Sequence, residues 1–276
     1  MKFTSVYDST AILIFCCVIA AMLGAVMGSF LNCAAGRLAK DQPFIKGHSH
    51  CPACGHDLGV PDLVPVFSWL FLRGKCRHCG AKISPRYLIT ELLFAALTVG
   101  CLLRFDLTVL CLRNWVFICC LFCLSLVDFE SKIIPNGTLL IAAGAWVLAE
   151  PFLFESWTKT LAHVGTAVAI SGGMLLISMV MDKVLKRESL GGGDVKLFAV
   201  VGLYLGLLPS LFALFLSCVL GLAVNLPRQR GNSEPFPFGP WIALATVIML
   251  FCGEALVGWY LGLMGMNLAE ASDIIK

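Results

Sequence analysis

Long stretches without a charged residue, separated by short polar breaks, set the elements of this chain. The first, 11–36, holds 26 uncharged residues, more than the 7 to 15 residues or so of a signal-peptide core, and predicts a retained membrane-spanning helix. Apolar runs at 87–103, 109–127, 137–154, 160–181 and 240–263 predict five more spans. The run 197–227 holds 31 uncharged residues; as one helix it would measure about 46 Å against a hydrocarbon core of about 30 Å. Pro209-Ser210 near its middle predicts a tight helical hairpin instead. The expected fold is an all-α polytopic membrane protein of about eight spans, with both termini on one side.

Composition agrees with that pattern. The 276 residues are 59% hydrophobic and 13% charged, with mean hydropathy +0.89, whereas soluble domains carry about 25% charge. Ordinary soluble enzymes and binding modules are excluded. The formal net charge of +3 is too small to indicate a nucleic-acid partner; the informative quantity is where Lys and Arg fall. With the N-terminus outside, 15 of the 20 lie in or beside inside segments, eight of them between Arg37 and Arg86. Treating 197–227 as a single span moves Arg228 and Arg230 outside and weakens the bias. Eight spans therefore suit the charges better than seven. The expected domains are a first helix at 1–36, a cytoplasmic module at 37–86 and a seven-helix membrane core at 87–276.

The module carries Cys51-Pro-Ala-Cys54-Gly and, 21 residues on, Cys76-Arg-His-Cys79-Gly. Each CxxC aims two sulfurs at one point, the following Gly permits a tight turn, and four thiolates close a tetrahedral shell around Zn2+. A closed shell leaves no site for water, so the metal is structural. Two disulfides are the competing reading, but the charges place these residues in a reducing compartment. His48, His50, His56 and His78 are possible substitute ligands. The other ten cysteines lie in apolar runs and are assigned no chemistry.

Within the membrane core, polar groups at span ends are functional candidates because burying them is costly. Asp128 closes the third span and precedes a turn at Pro135-Asn136. Asp194 follows Gly191-Gly192-Gly193, precedes Lys196, and opens the sixth span. Parity puts both at one membrane face, although 66 positions separate them. Asp194 could be simply a helix N-cap, and Asp128 a solvated boundary residue near Lys132. The triple glycine favours chemistry, since it lets backbone approach a substrate and reach conformations closed to other residues. Two carboxylates a few ångströms apart cannot both ionise cheaply: one keeps a proton and the other, as base, activates a water. Lys196 either positions substrate or an anionic lipid, or simply snorkels. Glu91 either pairs with Arg86 or receives a basic peptide.

Gly191-Gly-Gly-Asp194 resembles the G-x-G-D motif of intramembrane aspartyl proteases, and the wider pattern is similar to the type IV prepilin peptidases. The matching residues are Gly28-Ser-Phe-Leu-Asn32 with Arg37, the two cysteine knuckles, Asp62-Leu-Val-Pro-Val-Phe-Ser-Trp69, Ser84-Pro-Arg86-Tyr87 with Glu91, Asp128 to Asn136, and Pro237-Phe-Gly239-Pro240. Leu88 and Ala39 depart from the family pattern, where Pro is common. The resemblance implies an aspartic endopeptidase with Asp128 and Asp194 as its pair and no metal at those residues. It implies cleavage of prepilins or type II secretion pseudoprepilins after a Gly at the cytoplasmic face of a bacterial inner membrane. N-methylation of the new terminus with S-adenosylmethionine accompanies cleavage in many members, especially those with the tetracysteine loop. No methyl-donor site and no oligomeric state can be read from the residues.

Two other classes fit parts of the pattern. One is a proton or cation transporter with an acid pair, disfavoured because both aspartates sit at one face and the halves show no repeat. The other is a membrane-anchored methyltransferase whose aspartates only cap helices.

Overall fold

In the computed structural model the described residues are 9–42, 49–186, 190–225 and 236–265. His48, Lys2, Lys46, Arg187, Arg228, Arg230 and Lys276, used above for ligation or charge, lie outside them. The elements are α1 (Thr10–Leu38), α2 (Phe67–Phe71), α3 (Pro85–Phe105), α4 (Val109–Ser131), α5 (Asn136–Leu153), α6 (Trp157–Leu185), α7 (Gly192–Leu205), α8 (Leu207–Asn225) and α9 (Gly239–Leu263). All but α2 and α7 are long and apolar enough to cross a membrane, which makes seven candidate spans.

Each expected span exists, with ends that shift by a few residues where caps decide them. Ser84 accepts the Arg86 N–H at 3.3 Å and Pro85 stands in the first turn of α3, where a missing N–H costs nothing. The break in 197–227 is also present, but its position requires a correction. The chain turns at Gly206, not at Pro209-Ser210. Gly206 has φ +73, a left-handed conformation that a side chain disfavours. Pro209 is in the first turn of α8, where no intrahelical N–H is required of it. The hairpin supplies both expected helices, of which α7, with 14 residues and about 21 Å, is shorter than a full crossing.

The chain forms two compact units, 1–119 and 120–276. In the first, α1 packs along α3 and the cysteine module lies between them in sequence. Trp115 in the early part of α4 donates its indole N–H to Thr98 Oγ1 of α3 at 3.1 Å, closing that hairpin. In the second, α7 is the central element. It packs on α5, α6, α8 and α9, and buries Val195, Leu197, Phe198, Val200, Val201, Tyr204 and Leu205. The Tyr204 hydroxyl donates to Ala142 O of α5 at 2.8 Å, which satisfies a polar group that lipid would leave unpaired.

Candidate functional site

The cysteine module is built from two copies of one turn. In the first, Cys51 N–H donates to His56 O and Gly55 N–H returns to Cys51 O; in the second, Cys76 N–H donates to Ala81 O and Gly80 N–H to Cys76 O. Gly55 and Gly80 have φ of 69° and 71°, the tight turn expected of the residue after each CxxC. The sulfurs of Cys51, Cys54, Cys76 and Cys79 all lie within 4.8 Å of one another, and Cys51 Sγ is 3.9 Å from Cys79 Sγ. Tetrahedral ligation with metal–sulfur bonds of about 2.3 Å requires sulfurs about 3.8 Å apart, so the set fits a structural metal. Backbone N–H groups of Ala53 and Cys54 hold the Cys51 thiol down at about 7, favouring the thiolate that a metal needs. Among the described residues the cluster is made of the four cysteines; the rings of His56 and His78 lie against each other, tilted by 39°, with centroids 3.5 Å apart.

Around the metal cluster, two long contacts shape the module. Arg77 Nε donates to Asp62 Oδ1 at 2.7 Å, and this bond with the guanidinium holds the Asp62 carboxyl below the usual carboxylate range. Glu91, expected to pair with Arg86 or to meet a peptide, is buried in α3 and accepts the Val66 N–H at 2.7 Å. Val66 has φ 65, so Glu91 holds a strained bend at the start of α2.

Asp128 and Asp194 are both in the second unit, and close enough for the charge of one to act on the other. Asp128 occupies the last turn of α4 and is 4% exposed, which overturns the solvated-boundary reading. Its Oδ2 accepts the Gly239 N–H at 2.9 Å. A Cβ on residue 239 would stand 2.8 Å from that same oxygen, so only glycine lets the backbone come this close. Asp194 is half-buried in the first turn of α7, where Gly191 is the N-cap. The N-cap reading of Asp194 is thus corrected. Carboxylate and helix N-terminus remain together, an arrangement that favours negative charge.

The triple glycine does not adopt the special backbone conformations expected of it. Gly191 has φ −67, and neither Gly192 nor Gly193 has a left-handed φ. What Gly193 provides is space: a Cβ there would sit 3.0 Å from Ile134 Cβ. Ile134 also lies against Gly239, its Cδ1 being 3.4 Å from where a Cβ would be. The short link between α4 and α5 is therefore wedged between the starts of α7 and α9. Lys196 fastens it further by donating from Nζ to Asn136 Oδ1 at 3.1 Å. The sequence placed Gly239 in a motif without a role and Asn136 in a turn, but gave no sign of the packing of Ile134 or of the Lys196–Asn136 bond. The Gly239-Pro240 pair at a helix start was the available signal for the first; an Ile in an apolar chain gives none.

Asp128 thus ends α4 and Asp194 begins α7, and one oxygen of Asp128 is fixed by the backbone donor that opens α9. Comparison with known proteins agrees in class. Residues 22–105 match the bacterial peptidase A24 N-terminal domain, and residues 115–226 match the type IV leader peptidase family. The chain belongs to the type IV leader peptidase family. It is similar to the prepilin leader peptidase/N-methyltransferase of Bacillus subtilis (strain 168), with 30% identity over 87% of this chain and 96% of that protein. Proteins of the same description from Myxococcus xanthus (strain DK1622) and Aeromonas hydrophila are 34% and 32% identical. They align over 79% and 77% of this chain and over 67% and 74% of their own lengths. No solved structure matches the chain.

Proposed function

We propose that this protein is an aspartic endopeptidase of a bacterial inner membrane. It removes the short basic leader from type IV prepilins or type II secretion pseudoprepilins after Gly, and N-methylates the new terminus with S-adenosylmethionine. The observation that carries the peptidase reading is the Asp128–Asp194 pair, brought to one place by Gly193 and Gly239 packing on Ile134 and by the Gly239 N–H bonded to Asp128. The methylation reading rests on the description shared by the relatives.

In the reaction, a water lies between the two carboxyls. The ionised one takes its proton as the oxygen attacks the scissile carbonyl, and the protonated one donates to the departing amine. Gly239 N–H holds one oxygen of Asp128 and leaves the other for the water. Gly191, Gly192 and Gly193 with Lys196 set the approach of the substrate backbone through the start of α7, and no metal takes part at the aspartates. The core at 87–276 carries this chemistry, with the active site facing the cytoplasm and both termini outside. The four cysteines hold Zn2+, which fixes the fold of the 37–86 module.

S-adenosylmethionine supplies an electrophilic methyl group on a cationic sulfur. The two cavities of the first unit do not fit it: one is lined by Arg73, Lys75 and Lys82 and the other by Arg77 among apolar residues, and neither presents a carboxylate. No step is assigned to these cavities.

The test is to incubate the solubilised full-length protein with a prepilin and S-adenosylmethionine and to weigh the product. Loss of the leader mass supports the peptidase reading and a further methyl mass supports the second activity. An intact prepilin refutes the peptidase reading.

A further inference from the structure

The two knuckles of the cysteine module are superposable in their hydrogen bonding but not in their charges. Each closes an antiparallel bridge, His50 opposite Asp57 in one and Lys75 opposite Lys82 in the other. Backbone bonds flank each bridge: Cys51 N–H to His56 O and Leu58 N–H to Ser49 O, then Cys76 N–H to Ala81 O and Ile83 N–H to Gly74 O. This pattern makes both bridges non-hydrogen-bonded pairs, the kind in which facing side chains come closest. At such a position opposite charges stabilise and like charges destabilise. The first knuckle sets a histidine against an acid. The second sets two lysines against each other.

The surroundings of those lysines add a third cation and a cavity. Arg73, Lys75 and Lys82 line a space of about 390 Å³ together with Trp69 and with Ser84 and Pro85. Trp69 is held in place by its indole N–H to Ile83 O at 3.4 Å, and its ring lies 2.8 Å from where a Cβ on Gly74 would stand. Ser84 is the N-cap of α3 and Pro85 its first residue, so one wall of the cavity is the point at which a candidate membrane span begins. With α3 crossing a bilayer from Pro85, the cavity would lie at the level of the lipid phosphates. Tryptophan beside cations is the pairing that membrane interfaces select.

We propose that this cavity binds the headgroup of an anionic phospholipid. The lipid phosphate sits between Lys75 and Lys82 and relieves their repulsion, Arg73 adds a forked donor, and Trp69 packs on the glycerol and first methylenes. A basic leader peptide is excluded by the same charges. The site depends on α3 entering a bilayer at Pro85 and is independent of the peptidase reading.

Native mass spectrometry of the full-length protein in neutral detergent, titrated with phosphatidylglycerol or phosphatidylcholine, tests it. The expected result is one phosphatidylglycerol retained that phosphatidylcholine does not replace. Binding should weaken about fivefold for each of Arg73→Gln, Lys75→Gln and Lys82→Gln. The double variant Lys75→Arg/Lys82→Arg, which keeps the charge, should retain the lipid. The same spectra report metal content, and if Arg73→Gln or Lys75→Gln loses its metal, Lys82→Gln alone is read. Three results would overturn the proposal. They are equal occupancy by both lipids, undiminished phosphatidylglycerol in variants that keep their metal, and displacement of the lipid by inorganic phosphate at equal concentration, which would mark a free-anion site.

Discussion

The cysteine module and the aspartate pair reach their geometry by opposite routes. The module brings four sulfurs within 4.8 Å through two local turns whose backbone hydrogen bonds span no more than nine residues, and joins only two such turns. The aspartates meet through packing among α4, α7 and α9, with Gly239 bonded to a carboxylate 111 residues away. A locally encoded site survives changes elsewhere and fails when its own few residues change. A site encoded by packing fails when any wall moves. Four experiments separate the two regimes.

The largest effect is expected from the acids themselves. Asp128→Asn or Asp194→Asn should each lower leader removal by at least about a hundredfold while the metal stays bound, because each removes one half of the proton transfer. Mass analysis of prepilin after timed incubation measures this, and near-normal cleavage in either variant would break the pairing. Gly239→Ala tests the packing route without touching an acid. Its methyl group must displace Asp128 Oδ2 from 2.8 Å, and a shift of about 1 Å in a catalytic group costs roughly a hundredfold in rate. Cleavage should fall steeply at unchanged metal content; a variant as active as the parent would show that the Gly239 contact does not hold the acid.

For the local route, Cys51→Ser or Cys76→Ser should lower protein abundance and metal content more than turnover per folded molecule, since metal binding here is folding free energy. Immunoblot level against specific activity reads the difference, and normal abundance without turnover would reverse it. The smallest effect belongs to Asp62 and Arg77, an ion pair near the surface worth under about 1 kcal/mol. The Asp62 carboxyl is held low in the folded module, so its contribution is complete above the unfolded carboxylate value of about 3.9 and is lost as pH falls through the lower folded value. Thermal midpoints of Asp62→Asn and the parent should therefore differ slightly at pH 7. An equal midpoint there would show that the bond adds nothing.

The same contrast explains what could be read in the amino-acid order. CxxC spacing names its residues and their shape together, so the four-cysteine cluster was legible down to the glycine turns. The spans were legible because 20 apolar residues in lipid have few alternatives to a helix. Asp128 and Asp194 stood out as expensive residues in apolar surroundings. Their supports did not: Ile134 looks like any apolar residue, and its role comes from where Gly193 and Gly239 leave room. The hairpin was recognised by its excess length yet placed three residues late, because Pro209 is a stronger breaker in isolation than Gly206 but is harmless in the first turn of a helix. Glu91 was marked as notable; its partner Val66, 25 residues away in a loop, follows only from the fold.

The brevity of α7 has a structural meaning. Lipid would not tolerate the turn at Gly206, but α5, α6, α8 and α9 surround this helix, so its lower end rests on protein. Tyr204 pins that end to Ala142, and Asp194 stands ten residues, about 15 Å, along the rod. The helix works as a gauge of fixed length: it sets how deep its acid stands and which way it points. A single residue inserted between Tyr204 and Asp194 would lift the carboxyl by about 1.5 Å and swing it by roughly 100°, leaving every functional group present and none of them aligned.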